Sequence, residues 1–345
     1  MKIDSFELAK GKVFIVAELS ANHGNDINIA KETIKAAARA GADAIKLQTY
    51  TADSITLNSN NDYFKIRQNT IWDGKILYDL YKEASLPYEW HEELFKTAKE
   101  ESLICFSSPF DKNAVDFLEE LNVPAYKVAS FEITDIPLIE YMASKQKPII
   151  ISTGIAELKD IELAVKTCKN IGNEQIILLK CTSAYPADPH EMNLKTMNDL
   201  STRFNLLSGL SDHTLGITAP IAATALGAVM IEKHFILDKS IGGTDSSFSL
   251  DEKEFTQMVE AVRQTESLLG EVTYELSEKT LRSREFSRSL FIVQDIKKGE
   301  LFTEKNIRSV RPSFGIHPKY FNDIIGKRAN KNLKEATPLS LEDIE

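Results

Sequence analysis

Short apolar runs alternate with longer amphipathic stretches over most of the chain. The first run, Val13 to Glu18, has the β-branched, uninterrupted apolar composition of a buried strand. The stretch from Ile29 to Ala40 has helical character and ends before Gly41, a residue that favours helix C-termini. The pattern predicts strands at Val13–Glu18, Ala44–Gln48, Leu103–Ser107, Tyr126–Ala129, Pro148–Ser152, Ile176–Lys180, Leu206–Leu210 and Val229–Phe235.

Strand and helix candidates in eight successive units predict an α/β fold, a closed (β/α)8 TIM barrel. An open doubly wound sheet is the alternative, but no Gly-x-Gly-x-x-Gly turn follows the first strand. A long insertion from Thr49 to Pro87 carries Trp72, Tyr78 and Tyr81, and insertions of this kind are usually lids or binding loops. The predicted helices are Ile29–Ala40, Lys112–Leu121, Ile136–Lys145, Glu157–Lys169, Leu194–Phe204, Ile217–Leu226 and Asp251–Leu269.

The chain changes character after Gly270. A charged stretch, Thr280 to Arg288, leads into short strand-like segments at Ser289–Val293 and Ile307–Pro312 that are separated by turn residues. This pattern predicts a small, mostly β C-terminal domain. We place the barrel at residues 1–275, a linker at 276–287 and the small domain at 288–345.

Composition narrows the class of protein. The 345 residues carry a net charge of -10 and are 43% hydrophobic, which suits a soluble enzyme and argues against nucleic-acid or anionic-membrane partners. No apolar run approaches the roughly 20 residues of a membrane span. Cys105, Cys168 and Cys181 lack CxxC spacing and are predicted to be reduced and buried. We therefore expect a cytoplasmic protein.

Polar side chains follow every predicted strand. In a barrel the strands all end at one rim, where active sites lie, so these residues predict a site there. The strand-end residues are Glu18, Lys46, Gln48, Ser107, Ser108, Lys127, Ser130, Glu132, Ser152, Thr153, Lys180, Thr182, Ser183, Tyr185, Ser211, His213, Lys233 and His234.

His213 and His234 end neighbouring strands. A single histidine in such a place is more often structural, but two that converge favour a divalent metal site. His23, just beyond the first strand, is expected to be able to meet substrate, whereas His91 is expected to be structural. Glu232 is expected to pair with a lysine.

Lysines and hydroxyls at one rim are suited to a phosphate, or to a phosphate together with a carboxylate. A strand-end lysine could equally be a surface charge or a Schiff-base nucleophile, and the residues alone leave these readings open. Glu132 could act as a base or bind a substrate amide or hydroxyl. Asp245 could bind a sugar or form an Asx turn. The anion candidates are Lys127, Ser130, Ser152, Ser183 and Ser211.

A set of motifs, in order along the chain, resembles the sialic acid synthase family of nonulosonate synthases. The resemblance covers essentially the whole chain and includes a C-terminal antifreeze-like (SAF) domain. The motifs are Ala17–His23, Lys46–Tyr50, Ser107–Phe110, Tyr126–Ser130, Ser152–Gly154, Lys180–Ser183, Gly209–His213 and Glu232–Phe235.

The resemblance implies condensation of phosphoenolpyruvate with an open-chain acetamido-sugar, with phosphate released by C–O cleavage. It implies that His213 and His234 bind a divalent metal, Mn²⁺ or Mg²⁺, and that Glu18 and Lys46 line the same site. Glu132, Tyr185 and Asp245 would face the sugar. Phosphoenolpyruvate would be held by Ser108, Lys127, Ser130, Ser152, Ser183 and Ser211.

Two segments, Gly242–Leu250 and Arg311–Lys319, most resemble the branch of the family that makes pseudaminic acid. The sugar would then be 2,4-diacetamido-2,4,6-trideoxy-altropyranose, with Phe248 placed to cover its methyl group. Ser246 stands where the neuraminate branch carries a histidine. Formation of N-acetylneuraminate or legionaminate is the alternative within the family, and a Schiff-base aldolase or a non-catalytic sugar-binding protein is the alternative outside it.

The resemblance also bears on assembly. In the family the C-terminal domain caps the active site of the partner subunit, which implies a domain-swapped homodimer. Arg311 would then reach the sugar from above, and a guanidinium there could bind its hydroxyl or acetamido oxygens.

Overall fold

The structure is a computed structural model that describes residues 1–67 and 73–345. The chain divides into two compact units, Met1–Gly270 and Glu271–Glu345. The predicted insertion carries three aromatic residues of interest. Tyr78 and Tyr81 lie on a helix, and Trp72 lies outside the described residues.

The first unit is the predicted barrel. Among the described residues, eight parallel strands form a closed sheet, which excludes the open doubly wound alternative. A short antiparallel hairpin that the sequence did not predict precedes them. The hairpin strands are β1 (Lys2–Ile3) and β2 (Phe6–Glu7), and the barrel strands are β3 (Phe14–Glu18), β4 (Ala44–Thr49), β5 (Ile104–Pro109), β6 (Tyr126–Val128), β7 (Ile149–Ser152), β8 (Ile176–Cys181), β9 (Leu207–Asp212) and β10 (Met230–His234).

Helices follow the strands around the barrel, and their ends carry the expected capping residues. The side chain of Asp26 accepts a hydrogen bond from the Asn28 amide at the start of the first helix, and Gly41, with φ of +86°, follows its end. The helices are α1 (Ile27–Arg39), α2 (Ala52–Ile55), α3 (Leu77–Ala84), α4 (His91–Glu100), α5 (Lys112–Glu120), α6 (Ile136–Ser144), α7 (Leu158–Asn170), α8 (Lys195–Phe204), α9 (Thr218–Ala225) and α10 (Glu252–Leu269).

Alternate strand residues point into the barrel and out toward the helices, because side chains on a strand alternate between its two faces. Near the strand starts the inward positions are apolar, as Phe14, Phe106 and Leu179 show. Nearer the carboxyl ends the inward positions become charged, as Glu18 and Lys46 show. This change along one face places a polar site at the carboxyl end of the barrel.

Strand register brings the polar residues together. Glu18 on β3 lies beside Lys46 on β4 and also beside His234 on β10. Glu232 on β10 lies beside Ser211 on β9. The first and last barrel strands therefore meet at the site.

The second unit is a small domain with its own core. It begins with α11 (Glu278–Arg284) and contains an antiparallel pair, β11 (Ser289–Ile292) and β12 (Ile307–Val310), followed by α12 (Phe321–Ile324). Leu290, Ile292, Phe302, Ile307 and Leu339 are part of its buried core. The predicted domain boundaries at residues 275 and 287 stay predictions.

The described part of the chain contains no helix with both the length and the apolar character that a membrane span requires. Cys105, Cys168 and Cys181 are buried and free of disulfide bonds, as predicted.

Candidate active site

Glu232 lies at the centre of a charged cluster inside the barrel. Its carboxylate oxygens are 3.6 Å from Lys46 Nζ and 3.7 Å from Lys127 Nζ. One of them also accepts a hydrogen bond of 2.9 Å from Ser211 Oγ. The sequence predicted that Glu232 pairs with a lysine but missed its central position. The available signal was spacing, since Glu232 is two residues from His234 and so shares its face of the strand.

Glu18 supplies a second carboxylate to the cluster. Its Oε2 is 2.5 Å from Lys46 Nζ, and its Oε1 accepts a hydrogen bond of 2.9 Å from Gln48 Nε2. Lys46 Nζ also lies 3.5 Å from Ser108 Oγ, at the limit of a hydrogen bond. Glu18, Lys46 and Ser108, all predicted site residues, therefore occupy one corner of the site.

Lys127 leads to a group of serines on the other side of Glu232. Its ammonium group donates a hydrogen bond of 2.6 Å to Ser152 Oγ. Ser130 Oγ accepts a hydrogen bond of 3.2 Å from the amide of Gly154. A Cβ on Gly154 would lie only 2.1 Å from Ser183 Oγ, so glycine is what lets the loop after β7 approach these hydroxyls.

Burial and charge separate the pKa values of the two carboxyl groups. Burial raises the pKa of Glu18 to about 7, because it outweighs the attraction of Lys46. Burial also works to raise the pKa of Glu232, but the ammonium groups of Lys127 and Lys46 outweigh it and hold that pKa below its usual range. Glu232 is therefore ionised at neutral pH, whereas Glu18 carries a proton part of the time.

The lysines respond to the same balance. Burial lowers the pKa of Lys127, and Glu232 opposes this effect. Burial also works against the charge of Lys46, but Glu18 and Glu232 outweigh it and raise the pKa of that ammonium group. Two lysines around one firmly ionised carboxylate make a cradle suited to an anion.

Glu132, in the turn that follows β6, is half-buried and adds a further carboxyl group, whose Oε2 atom is buried. Burial raises its pKa to about 7, so the group can gain or lose a proton near neutral pH. Within residues 1–67 and 73–345, its Oε2 atom finds no hydrogen-bond partner.

His213 and His234 lie beside each other, with ring centroids 5.2 Å apart. His213 Nδ1 is 3.0 Å from the carbonyl oxygen of Thr182, which can only accept, so Nδ1 carries the proton and Nε2 remains for a metal ion. Burial lowers the pKa of His234 well below its usual value, so this imidazole is neutral. Its Nδ1 is buried and has no hydrogen-bond partner among the described side chains and backbone. The pair thus fits a divalent ion.

Across the described residues, no three His, Cys, Asp or Glu side chains are grouped to hold a metal ion. The two imidazoles would therefore supply part of a coordination sphere that substrate or water completes. Cys181 Sγ lies 3.8 Å from His213 Nδ1, a contact that the sequence did not predict.

Asp245 and two aromatic rings border the histidines. Asp245 Oδ2 accepts a hydrogen bond of 2.5 Å from Ser20 Oγ and lies 3.6 Å from His234 Nδ1. The Tyr185 ring is 4.4 Å from that of His213, and the Phe248 ring is 4.9 Å from that of His234. These residues form one wall of the site beside the possible metal position.

Lys180 and Lys233 face away from the barrel interior, although they also stand at strand ends. Lys180 Nζ donates to the carbonyl oxygen of Cys181 at 2.5 Å. Lys233 forms a buried ion pair with Asp212. Neither lysine belongs to the cradle around Glu232.

His23 and His91 both have structural contacts. His23 is buried, its Nδ1 accepts from the Asn25 amide, and its Nε2 lies 3.3 Å from the carbonyl oxygen of Ala84. It therefore organises the loop after β3, and the expectation that it can meet substrate stays a prediction. His91 is buried beside Thr49, as expected for a structural histidine.

Arg311 belongs to the second unit, where it is exposed just after β12. The other predicted site residues all lie in the barrel unit. The predicted role of each of these residues toward a ligand stays a prediction.

Two family profiles match separate parts of the chain. The profile of the NeuB family matches residues 33–274, and that of the SAF domain matches residues 287–345. The chain is 50% identical over 345 residues to the pseudaminic acid synthase of Campylobacter jejuni, covering 100% of both. It is 37% identical to the N,N'-diacetyllegionaminic acid synthase of Legionella pneumophila, covering 96% of this chain and 94% of that protein.

A solved structure shares the fold. The crystal structure of N-acetylneuraminic acid synthetase from Leptospira borgpetersenii in complex with citrate superimposes with a TM-score of 0.73. The sequences are 30% identical, and the match covers 82% of this chain and 94% of that one.

Proposed function

Because the chain belongs to the NeuB family and ends in a SAF domain, we propose that it condenses phosphoenolpyruvate with an acetamido-sugar to give pseudaminic acid and phosphate. The observation that carries the chemistry is the pair of lysines, Lys46 and Lys127, held inside the barrel around ionised Glu232. The choice of sugar, 2,4-diacetamido-2,4,6-trideoxy-altropyranose, is supported by the full-length similarity to pseudaminic acid synthases.

The cradle accounts for binding of the anionic substrate. Lys46 and Lys127 would neutralise the phosphate and carboxylate of phosphoenolpyruvate, with hydrogen bonds from the surrounding hydroxyls. At 3.6 and 3.7 Å from Glu232, the ammonium groups are too far for strong hydrogen bonds to it. Each ammonium group has three N–H donors, of which Lys46 directs one to Glu18 and Lys127 one to Ser152, so donor capacity remains for a ligand. The hydroxyls are those of Ser108, Ser130, Ser152, Ser183 and Ser211.

In the reaction, carbon 3 of phosphoenolpyruvate forms a bond to the aldehyde carbon of the sugar, and the aldehyde oxygen takes up a proton. Water adds to carbon 2 and loses a proton, and the bond from carbon 2 to the phosphate oxygen breaks. Glu18 and Glu132, each with a pKa of about 7, are suited to give and accept these protons at neutral pH.

His213 and His234 would hold a divalent ion, Mn²⁺ or Mg²⁺. When bound, such an ion supplies Lewis-acid polarisation of a substrate oxygen. Tyr185 and Asp245 would bind the polar groups of the sugar, and Phe248 would pack against its methyl group.

A phosphate-release assay tests the function. Phosphoenolpyruvate should release phosphate only when both the diacetamido-altropyranose and a divalent ion are present, and EDTA should abolish turnover. N-acetylmannosamine and the diacetamido-sugar precursor of legionaminate serve as competing substrates. A preference for either would move the assignment to that branch of the family.

Two other outcomes would reject the reaction class. Trapping of pyruvate on a lysine by borohydride, without a metal requirement, would identify a Schiff-base aldolase. Sugar binding without turnover on any aldose would identify a non-catalytic binding protein.

We also propose that Arg311 acts on the sugar from the partner subunit of a domain-swapped homodimer. His234→Ala and Arg311→Ala should each be inactive alone. Subunit exchange between them should restore activity, since a swapped mixed dimer contains one site with neither lesion. No recovery in verified mixed dimers would contradict the swapped arrangement.

A further inference from the structure

Lys233 and Asp212 form an ion pair on the outer face of the barrel wall, next in sequence to the two histidines. Both side chains are 0% exposed, and Lys233 Nζ is 2.5 Å from Asp212 Oδ2. The two residues are also direct partners in the register of β9 and β10. The pair therefore links β9 to β10 at the positions directly before His213 and His234.

The same ammonium group holds the backbone beyond His213. Lys233 Nζ donates a hydrogen bond of 2.5 Å to the carbonyl oxygen of Thr214. Asp212 accepts from the Thr214 amide at 2.9 Å and from Thr214 Oγ1 at 3.2 Å. The residues on both sides of His213 are therefore fixed to Lys233, and His234 is the residue that follows Lys233.

Stability alone gives little reason for such a pair. Burying two charges costs desolvation energy, and replacing a buried ion pair with apolar residues of similar size is often neutral or stabilising. What apolar residues would not reproduce here is the set of directional bonds that fixes one histidine backbone relative to the other. The structure therefore assigns to the pair a geometric role.

We propose that Lys233 and Asp212 are positioning residues that set the relative placement of His213 and His234 for a divalent ion. The inference rests on the proposed function, which gives these histidines a metal. Groups that hydrogen-bond to metal-ligating side chains typically contribute about 10-fold to 100-fold in metal affinity. Lys233 and Asp212 act one step farther out, on the backbone beside the histidines, and we take the same range for their effect.

The test is the double variant Asp212→Asn/Lys233→Met. It removes both charges together and keeps an oxygen at position 212 for the Thr214 amide, but it removes the Lys233 bonds. Mn²⁺ binding is measured without substrates, by calorimetry and by the electron paramagnetic resonance signal of free Mn²⁺. We expect the Kd to rise by about 10-fold to 100-fold while the melting temperature stays near that of the wild type.

A matched control breaks a different ion pair of the barrel unit. Its two residues are distant in sequence from His213 and His234. Arg263 Nη2 lies 2.6 Å from Asp43 Oδ2, and Asp43 also accepts from the Ile15 amide. The double variant Asp43→Asn/Arg263→Met should leave the Mn²⁺ Kd unchanged, whatever its melting temperature. An equal loss of affinity in this control would overturn the positioning role, because general loosening would then explain both results.

A folded Asp212→Asn/Lys233→Met protein with wild-type Mn²⁺ affinity would also overturn it. If that variant does not fold, Lys233→Arg is the second test. It keeps the positive charge, but the longer, planar guanidinium places its N–H donors differently from the ammonium group that bonds Asp212 and the Thr214 carbonyl. We expect about tenfold weaker Mn²⁺ binding, and unchanged affinity would reject the inference. Wild-type protein that binds no Mn²⁺ would instead reject the metal role in the proposed function, and this inference with it.

Discussion

The two faces of β10 both bury a lysine against a carboxylate, yet the contacts differ. On the inner face, Glu232 lies 3.6 Å from Lys46 and 3.7 Å from Lys127, and its Oε2 lacks a hydrogen-bond partner among the described residues. On the outer face, Lys233 lies 2.5 Å from Asp212 and also bonds the Thr214 carbonyl. The inner cluster is incomplete, while the outer pair has its partners.

The difference indicates which buried charges await a ligand. Burying a charge is costly unless hydrogen bonds compensate it, and a completed set of bonds leaves nothing for a substrate to satisfy. Lys46 and Lys127 do have partners, Glu18 at 2.5 Å and Ser152 at 2.6 Å. Neither ammonium group lies within hydrogen-bond distance of Glu232, however, so each keeps donor capacity for an incoming anion. Residue type alone does not distinguish Lys46 and Lys127, which lie in the site, from Lys233, which lies outside it.

The largest expected effect is on the inner face. Lys127→Met should lower kcat/KM for phosphoenolpyruvate about a thousandfold, or ~4 kcal/mol of transition-state binding, because the anion loses a desolvated charge partner. The phosphate-release assay measures this change. The free energy of unfolding should fall less than it does for a buried charge left without any partner, because Lys46 still faces Glu232. A strongly destabilised variant with normal kcat/KM would show that the inner cluster is structural after all.

The outer face should respond in the opposite way. Asp212→Asn alone leaves Lys233 buried without its counter-charge, so the free energy of unfolding should fall by about 3 to 4 kcal/mol. Urea unfolding at pH 7 measures the change, with Asp199→Asn on the exposed face of α8 as the matched control. Equal stability of the two variants would remove the distinction between the faces.

Glu132, a further carboxyl group of the site, should lower the stability of the protein in a pH-dependent way. Burial raises the folded pKa of Glu132 to about 7 from an ordinary value of 4.5. Glu132 therefore costs no stability below about pH 4.5, and the folded state loses stability as the pH rises through 7, because the carboxyl group ionises more readily in the unfolded chain. At pH 8, Glu132→Gln should be more stable than the wild type by up to about 3 kcal/mol, and this gain should vanish near pH 4.5. Urea unfolding across this pH range would contradict the account if the gain stayed constant.

The smallest effect concerns the aromatic wall of the inner site. Phe248 packs 5.3 Å from Tyr185 and 4.9 Å from His234, ring centroid to ring centroid. Phe248→Leu should reduce the preference for the 6-deoxy sugar over N-acetylmannosamine about tenfold in kcat/KM, since one methyl contact is worth about 1–3 kcal/mol. Competition between the two sugars measures the ratio. An unchanged ratio would place the methyl group elsewhere.

Much of the barrel was predictable, because buried strands such as β3 and β10 leave continuous apolar runs that end in polar residues. The ends of the predicted strands differ from the structure by at most a few residues. The hairpin of β1 and β2 was missed because its two-residue strands are too short to show a period.

The residues of the site were predictable, but the face of the strand on which each side chain lies was not. Strand alternation places Glu232 and His234 on one face and Lys233 on the other, but the pattern does not say which face is inner until one residue has been placed. Contacts such as Phe248 against Tyr185 join separate loops, and no local pattern encodes them.

The closure of the barrel has a consequence for how the protein is made. Ser20 and Asp245, which share a hydrogen bond at the site, are 225 positions apart in the chain, and β10 pairs directly with β3. A nascent chain on the ribosome would have its first strands outside the exit tunnel long before β10 is synthesised. Glu18 and Lys46 would wait beside an open sheet edge until then, so catalytic competence would arise only in the last step of barrel assembly.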